Sequence, residues 1–142
     1  MKVFLDTSAV AKRYIAEPGS DQVLALCQQA DALVVSIICL PELISTLSRL
    51  VREKKLGKLA YQKLKTTAVG DLADADLCQI TPEVLASVVH LLEAYPLRAM
   101  DALHVACALA CSPDVFVSAD HRQLIAARKA GLKTVDVSSA EC

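Results

Sequence analysis

The sequence alternates between short apolar runs and longer segments with apolar residues at helical spacing, and this alternation limits the possible folds more than any other feature. The apolar runs resemble buried strands and lie at residues 3–5, 33–36, 77–80, 115–118 and 133–137. The helical segments lie at residues 9–16, 20–30, 41–54, 59–73, 82–95, 98–110 and 123–130. Such a chain is expected to form an α/β sandwich around a mostly parallel sheet of about five strands.

The ends of several predicted helices carry residues that favour the start or the end of a helix. Thr7 or Ser8 is expected to cap the first helix, Pro41 lies in the first turn of the third, and Gly131 follows the last. No repeat and no Gly/Pro/Ser-rich linker interrupts the pattern. We therefore expect residues 1–142 to form one domain.

Four acidic residues fall where such a sheet binds ligands, beyond the carboxyl ends of its strands. Asp6 directly follows the first predicted strand, and Asp120 follows the fourth. Glu42 lies in the first turn of the helix after the second strand, and Asp101 lies in the first turn of a helix that begins near Arg98. We expect the four carboxylates to meet in one cleft.

The predicted cluster indicates a divalent-metal site. Crowded carboxylates repel one another, and this repulsion raises the cost of ionising all of them. Mg²⁺ and Mn²⁺ prefer oxygen ligands and remove that cost. One or two such ions activate water and stabilise the transition state of phosphodiester cleavage. The expected reaction is therefore metal-assisted hydrolysis of a phosphate ester.

Four segments resemble the PIN-domain family, and above all the VapC-type toxins of bacterial and archaeal toxin–antitoxin pairs. They are FLDTSAVAKRY, PELISTL, RAMDALHVACAL and FVSADHRQLIAARKAGLKTVDV, and the resemblance runs over essentially the whole chain. It implies a three-layer α/β/α fold and a Mg²⁺- or Mn²⁺-dependent endoribonuclease. It also implies a homodimer and a small antitoxin protein that covers the active site.

The resemblance also assigns residues. It implies that the catalytic and metal-binding acids are Asp6, Glu42, Asp101 and Asp120. Two hydroxyl residues match the family pattern as well, Ser8 two places after the first acid and Ser118 two places before the last.

Each acid also has a structural interpretation. Asp6 and Asp120 precede helices, so both would serve as N-caps. Glu42 in a first helical turn is favoured by the helix dipole. Asp101 lies among apolar residues, where a carboxylate without a partner would be costly, so a ligand role explains it better. Whether Asp120 acts through a water molecule or takes no part in the site stays open.

The neighbours of the acids are ambiguous. Ser8 and Ser118 would either contact the site or only complete a helix cap or strand end. Arg98 lies three residues before Asp101 on one helical face, where it would pair with an acid or contact a substrate phosphate. His104 lies three residues after Asp101, and we interpret it as a structural helix histidine outside the site.

Charge and composition limit how RNA would be held. The net charge is −1, which argues against binding by bulk positive charge. Aromatic residues make up 4%, so base stacking is not expected to dominate. Hydrophobic residues make up 54%, and we expect helices of the N-terminal half to offer a dimer or antitoxin surface. Six basic residues are expected mostly on a solvated face, with a few of them lining an RNA groove: Lys12, Arg13, Arg49, Arg52, Lys54 and Lys55.

Cysteine usage predicts a reducing, cytoplasmic compartment. The six cysteines form no CxxC pair and mostly lie in apolar patterns, so we expect buried free thiols, Cys142 included. A zinc site at His104, Cys107 and Cys111 is an alternative without an evident fourth ligand. The N-terminal apolar run is too short for a signal peptide, and no membrane span or membrane partner is expected.

Other functions remain as alternatives. An aspartyl phosphotransferase or phosphatase on a similar sheet would need a second Asp two places after Asp6, where Ser8 stands. A nucleotide-binding fold would need a glycine-rich loop, and no Gly lies near Asp6. A non-catalytic PIN-like RNA-binding or interaction module would be favoured by loss of an acid. The sequence does not separate RNA from DNA as the substrate.

Overall fold

The computed structural model describes residues 1–139, in which five strands alternate with seven helices much as the apolar pattern predicts. The strands are β1 (Lys2–Leu5), β2 (Ala32–Ser36), β3 (Asp76–Cys78), β4 (Val115–Ser118) and β5 (Thr134–Asp136). The helices are α1 (Thr7–Ala11), α2 (Ser20–Gln29), α3 (Cys39–Arg52), α4 (Lys58–Ala73), α5 (Pro82–Ala94), α6 (Ala99–Cys111) and α7 (His121–Lys129).

The five strands form one sheet in the order β3-β2-β1-β4-β5, and every pair is parallel. The central strand β1 aligns Phe4 with Val34 on one side and with Phe116 on the other. From β1 the chain first builds outward through β2 and β3, then returns to the other side of β1 for β4 and β5. The carboxyl ends of β1 and β4 therefore flank a switch point, where open parallel sheets bind ligands.

Alternating side chains divide the core into two layers, one on each side of the sheet. Val3 and Leu5 face the layer of α1 to α4, where Leu43 and Leu47 of α3 are fully buried. Phe4 faces the opposite layer with the buried residues of α5, α6 and α7, and its ring stacks on Phe116 with centroids 5.6 Å apart. The expected three-layer α/β/α architecture is confirmed.

The first helix is shorter than the sequence predicts and is capped one residue earlier. It ends at Ala11, not near residue 16, and Asp6 rather than Thr7 or Ser8 is its N-cap. The chain turns after Ala11 and reaches Gly19, whose φ of +92° favours glycine. A Cβ at Gly19 would lie 2.0 Å from the carbonyl oxygen of Val137, far along the chain, so this close approach leaves no space for a side chain.

Lys12 is not on the solvated face that we expected. Its side chain is only 6% exposed, and its Nζ donates to the Pro18 carbonyl at 2.7 Å and to Glu17 at 3.2 Å. The turn after α1 covers the aliphatic stem and supplies partners for the ammonium group, so the lysine is buried without an unpaired charge.

The cysteines in the described part of the chain are free thiols, but their burial varies. Cys39 and Cys107 are buried, whereas Cys27, Cys78 and Cys111 are partly exposed, and Cys142 lies outside the described residues. Within residues 1–139, no three His, Cys, Asp or Glu side chains are grouped as a metal site, so the zinc alternative gains no support. In that same range, no helix is both long and apolar enough to cross a membrane.

Candidate active site

The four predicted acids line a single open cavity at the carboxyl edge of the sheet. Its volume is about 730 Å³, and its walls come from the segments that follow β1 and β4, from α1 and α3, and from the N-terminal halves of α6 and α7. Polar and charged side chains supply most of this lining: Asp6, Thr7, Ser8, Glu17, Glu42, Ser45, Thr46, Arg49, Arg98, Asp101, His104, Asp120 and Gln123. The strand-end rule therefore located the cleft from the sequence.

Asp6 lies at the bottom of the cavity and has no exposed surface. Its Oδ1 accepts hydrogen bonds from the Ser8 hydroxyl at 2.7 Å and from the Ala9 backbone N–H at 2.9 Å. Its Oδ2 accepts from the Ser118 hydroxyl at 2.7 Å and from Nε2 of Gln123 at 3.0 Å. Both predicted hydroxyl residues thus contact the leading acid.

Burial makes the negative charge of Asp6 costly despite these hydrogen bonds. Desolvation raises the pKa of its carboxyl above the usual value. The nearby His104, the hydroxyls of Ser118 and Ser8 and the Ala9 amide act in the opposite direction, but burial dominates. A cation at this carboxylate would offset the cost, as in acidic clusters that bind metals.

Asp101 is nearly as buried, at 8% exposure, and it faces Asp6 across a shared donor. Nε2 of Gln123 donates to Oδ1 of Asp101 at 3.2 Å while it also donates to Asp6. Oδ2 of Asp101 accepts from Nε of Arg98 at 3.2 Å, and the Arg98 side chain is 78% exposed. Of the two interpretations of Arg98, pairing with an acid is therefore present in the structure.

Glu42 belongs to a separate group on the α3 side of the cavity. Its Oε1 contacts Nε2 of the buried His104 and accepts from the Thr7 hydroxyl at 2.6 Å. Burial raises the pKa of Glu42, but the hydrogen bonds from His104 and Thr7 outweigh burial, so the pKa is lowered. Glu42 therefore holds its charge more readily than Asp6 does.

Asp120 serves as the N-cap of α7, one of the alternatives that the sequence left open. Its Oδ1 accepts from the backbone N–H groups of Arg122 and Gln123 at 2.9 and 3.1 Å. Its own N–H donates to the Ser118 hydroxyl at 2.9 Å. The cap orients the first turn of α7, and with it the Gln123 side chain, toward the buried acids.

Sequence reasoning missed three polar residues that contact the acids of this cavity: Thr7, His104 and Gln123. Helical spacing gave a usable indication for His104, because a residue three places after Asp101 shares its face. Its interpretation as a histidine outside the site is not supported, since it contacts Glu42 and lines the cavity. For Gln123 no local pattern indicated that its amide would reach two acids.

The side chains of the cavity fit a hard divalent cation. Carboxylate oxygens are the ligands that Mg²⁺ and Mn²⁺ prefer, and Mg²⁺ commonly uses one or two carboxylates and completes its shell with water. Although no three candidate ligands are grouped within residues 1–139, the Gln123 amide joins Asp6 and Asp101. Oε1 of Gln123 is buried without a hydrogen-bond partner among the described residues.

Comparison of sequences relates this chain to a nuclease family. The sequence profile of the PIN domain matches residues 3–130. Ribonuclease VapC45 of Mycobacterium tuberculosis (strain CDC 1551 / Oshkosh) is 30% identical to this chain over 123 residues. The aligned part makes up 86% of this chain and 85% of that ribonuclease.

Comparison of structures gives the same fold at lower identity. The crystal structure of FitAcB from Neisseria gonorrhoeae matches with a TM-score of 0.72 at 18% identity, covering 96% of this chain and 98% of the other. A toxin–antitoxin complex from Klebsiella pneumoniae matches with a TM-score of 0.67 at 15% identity, with the same shares covered. These structural matches support the three-layer fold.

Proposed function

The chain belongs to the PIN domain family, and from that premise we propose that it is a metal-dependent endoribonuclease, the toxin of a toxin–antitoxin pair. The observation that carries this proposal is the meeting of Asp6, Glu42, Asp101 and Asp120 in one cavity. Family membership agrees with the resemblance inferred from the motifs. We propose that residues 1–142 act as one nuclease domain.

Nucleases of this family depend on metal in general, and we propose Mg²⁺ or Mn²⁺ as the ion used here. Asp6 and Asp101 would hold it, with Glu42 and Asp120 lining the same cavity. When bound, the ion supplies positive charge that activates water and stabilises the developing charge of phosphodiester cleavage. All four residues offer carboxylate oxygens, which suits a hard cation better than a zinc-type site.

The cavity wall also suits an RNA backbone. Arg98 and Arg49 both line the cavity, and both side chains are more than half exposed. In this proposal they contact phosphates that flank the cleaved bond, while the acids act on the bond itself. Because no Phe, Tyr or Trp among the described residues lines the cavity, the substrate would be held by its backbone rather than by base stacking.

We propose that the chain forms a homodimer and binds a small antitoxin protein. A protein partner is supported by an exposed apolar stripe on α5, formed by Leu85, Val89 and Leu92 at 50%, 58% and 38% exposure. This stripe lies in the second half of the chain, whereas we expected the helices of the first half to supply the surface. The free thiols of the described residues agree with a reducing, cytoplasmic compartment as the place of action.

The decisive experiment uses a circular RNA with Mg²⁺ or Mn²⁺, because only an endonuclease can open a circle. We expect the wild type to linearise it, whereas Asp6→Asn and Asp101→Asn do not. Asp21→Asn, an exposed acid in the first turn of α2, is the matched control and keeps full activity. Cleavage that persists equally in Asp6→Asn, or that continues in excess chelator, would contradict the proposal. A circular DNA of the same sequence tests the choice of nucleic acid.

A further inference from the structure

Gln123 connects three of the four acids through one residue. Its backbone N–H donates to Oδ1 of Asp120 at 3.1 Å, and this contact fixes the start of α7. Its side-chain Nε2 donates to Oδ2 of Asp6 at 3.0 Å and to Oδ1 of Asp101 at 3.2 Å. Ionised carboxylates only accept hydrogen bonds, so the amide nitrogen, not its oxygen, must face both acids.

The carboxylate of Asp6 is saturated with donors. An ionised carboxylate has about four lone-pair sites, and Asp6 accepts from Ser8, Ala9, Ser118 and Gln123. No lone pair is therefore left free, and a cation that binds Asp6 must replace one of these four donors. The structure indicates which donor is the easiest to replace.

Three of the four donors are tied in place by a second bond or by the backbone. The Ser8 hydroxyl also accepts from the Ala119 N–H at 2.9 Å, and the Ser118 hydroxyl also accepts from the Asp120 N–H at 2.9 Å. The Ala9 donor is a backbone N–H in the first turn of α1. Moving any of these would break a second hydrogen bond or the helix start.

The Gln123 amide has no hydrogen-bond partner among the described residues other than the two acids themselves, Asp6 and Asp101. Its side chain is buried, and its Oε1 lacks a hydrogen-bond partner among residues 1–139. A buried acceptor without a partner costs free energy, so the bridging arrangement satisfies the two acids at the expense of the amide itself. Of the four donors, Gln123 is therefore the one that gives up its place at the lowest cost.

We propose that Gln123 is a displaceable bridge, which holds Asp6 and Asp101 together in the metal-free protein and yields its position between them to the divalent cation. This inference rests on the proposed function, because it assumes a metal site at these two acids. Gln123 is a positioning residue, and it does not become a ligand. The amide relieves the repulsion of the two buried carboxylates until the ion takes over that role.

Removal of the bridge should change metal affinity in the direction opposite to removal of an ordinary structural residue. In the metal-free protein the amide stabilises the two acids, so its loss should lower the melting temperature. Because the ion must displace the amide, loss of the amide should also tighten metal binding. A residue that only supported the fold, or one that ligated the ion, would weaken metal binding when removed.

The test compares Gln123→Met, which keeps the length of the side chain without its donors, with Gln123→Glu, which offers only acceptors. Gln28→Met, at an exposed position in α2, is the matched control. Mn²⁺ alone is titrated by calorimetry, and melting is followed in chelator and in excess Mn²⁺. For Gln123→Met we expect Mn²⁺ to bind at least about tenfold tighter, since the two hydrogen bonds to Asp6 and Asp101 need no longer be broken.

Gln123→Glu keeps the test informative if the methionine variant does not fold. A third carboxylate beside Asp6 and Asp101 should lower the melting temperature in chelator further, and Mn²⁺ should raise it by more than in the wild type. Unchanged or weaker Mn²⁺ binding in both variants would overturn the bridge.

Asp6→Asn separates this inference from the proposed function. If the wild type binds no Mn²⁺, or if Asp6→Asn binds it equally well, the metal site fails and the bridge fails with it. If binding depends on Asp6 but the Gln123 variants bind no tighter than the wild type, only the bridge is wrong. Tighter binding in Gln123→Met together with a lower melting temperature in chelator supports it.

Discussion

The four acids of the cavity form two pairs that differ in what surrounds them. The inner pair, Asp6 and Asp101, is buried and shares the Gln123 amide as a common donor. The outer pair, Glu42 and Asp120, is partly exposed, and each member has partners of its own. Glu42 contacts Thr7 and His104, whereas Asp120 caps α7.

This difference teaches that residues of one chemical type can serve unequal purposes in one site. The outer acids are partly exposed, and their hydrogen bonds to a histidine, a threonine and the start of α7 give each of them a structural role without a cation. The inner acids concentrate negative charge at buried positions, where each charge is costly and a cation would offset that cost. The inner pair is therefore the better marker of metal chemistry.

The largest expected effect is the loss of activity when the inner pair is neutralised. Asp6→Asn and Asp101→Asn should each reduce RNA cleavage by more than the roughly 10–100-fold typical of residues that only support metal ligands. Glu42→Gln should cost less, and Asp120→Asn least, because Asn also caps helices well. Single-turnover cleavage rates at saturating Mn²⁺ measure the order. A greater loss in Asp120→Asn than in Asp6→Asn would reverse the distinction between the pairs.

His104 tests whether Glu42 depends on its own partner. His104→Ala removes the contact at Glu42 and leaves a buried gap, so we expect cleavage to fall roughly 10–100-fold, as for other supports of metal ligands. His104→Gln places an amide nitrogen near the position of Nε2 and should recover part of the rate. The same rates and the melting temperatures of both variants decide the point. Equal loss of activity in both would indicate packing rather than orientation of Glu42.

Asp6 of the inner pair and Glu42 of the outer pair also predict opposite responses to pH, measured as the free energy of unfolding in chelator. The pKa of Asp6 is raised above 3.8, so the wild type should gain stability relative to Asp6→Asn as the pH falls toward that value. The pKa of Glu42 is lowered below 4.5, so the advantage of the wild type over Glu42→Gln should be present above that value and lost as the pH falls through the lowered pKa.

Asp21→Asn is the control for these titrations, because its side chain is exposed and lies outside the cavity. Urea denaturation at a series of pH values gives the differences between each variant and the wild type. Parallel rather than opposite slopes for Asp6→Asn and Glu42→Gln would show that burial does not distinguish the inner from the outer acid.

The sequence predicted the frame of this site because its rules are local. Apolar runs and helical spacing located the strands, and parallel strands necessarily bring Asp6 and Asp120 to the same edge. The apolar surroundings of Asp101 identified a carboxylate that needs a partner. These inferences depend on residues within a few positions of each acid.

The remaining features depend on contacts between distant segments. Gln123 reaches Asp6 across 117 residues of sequence and Asp101 across 22, so no local pattern could reveal its role. The turn after α1 brings Gly19 against the Val137 carbonyl, a contact that only the folded chain creates. Lys12 is buried because the same turn supplies the Pro18 carbonyl as a partner for its ammonium group.

The smallest expected effect concerns Arg98, which touches the inner pair but belongs to the surface. Its side chain is 78% exposed, and surface ion pairs such as that with Asp101 contribute little to stability, so Arg98→Ala should barely change the melting temperature. If Arg98 contacts a phosphate, the variant should raise KM several-fold and leave kcat nearly unchanged.

Salt dependence separates the two roles of Arg98. Loss of one phosphate contact should reduce the slope of log affinity against log salt by about 0.7 for single-stranded RNA. Arg98→Lys keeps the charge and should retain most of that slope. If Arg98 instead serves only to orient Asp101, the slope would be unchanged in Arg98→Ala, and Mn²⁺ binding would weaken. The inner pair would then depend on a surface residue, and its distinction from the outer pair would be smaller than its burial suggests.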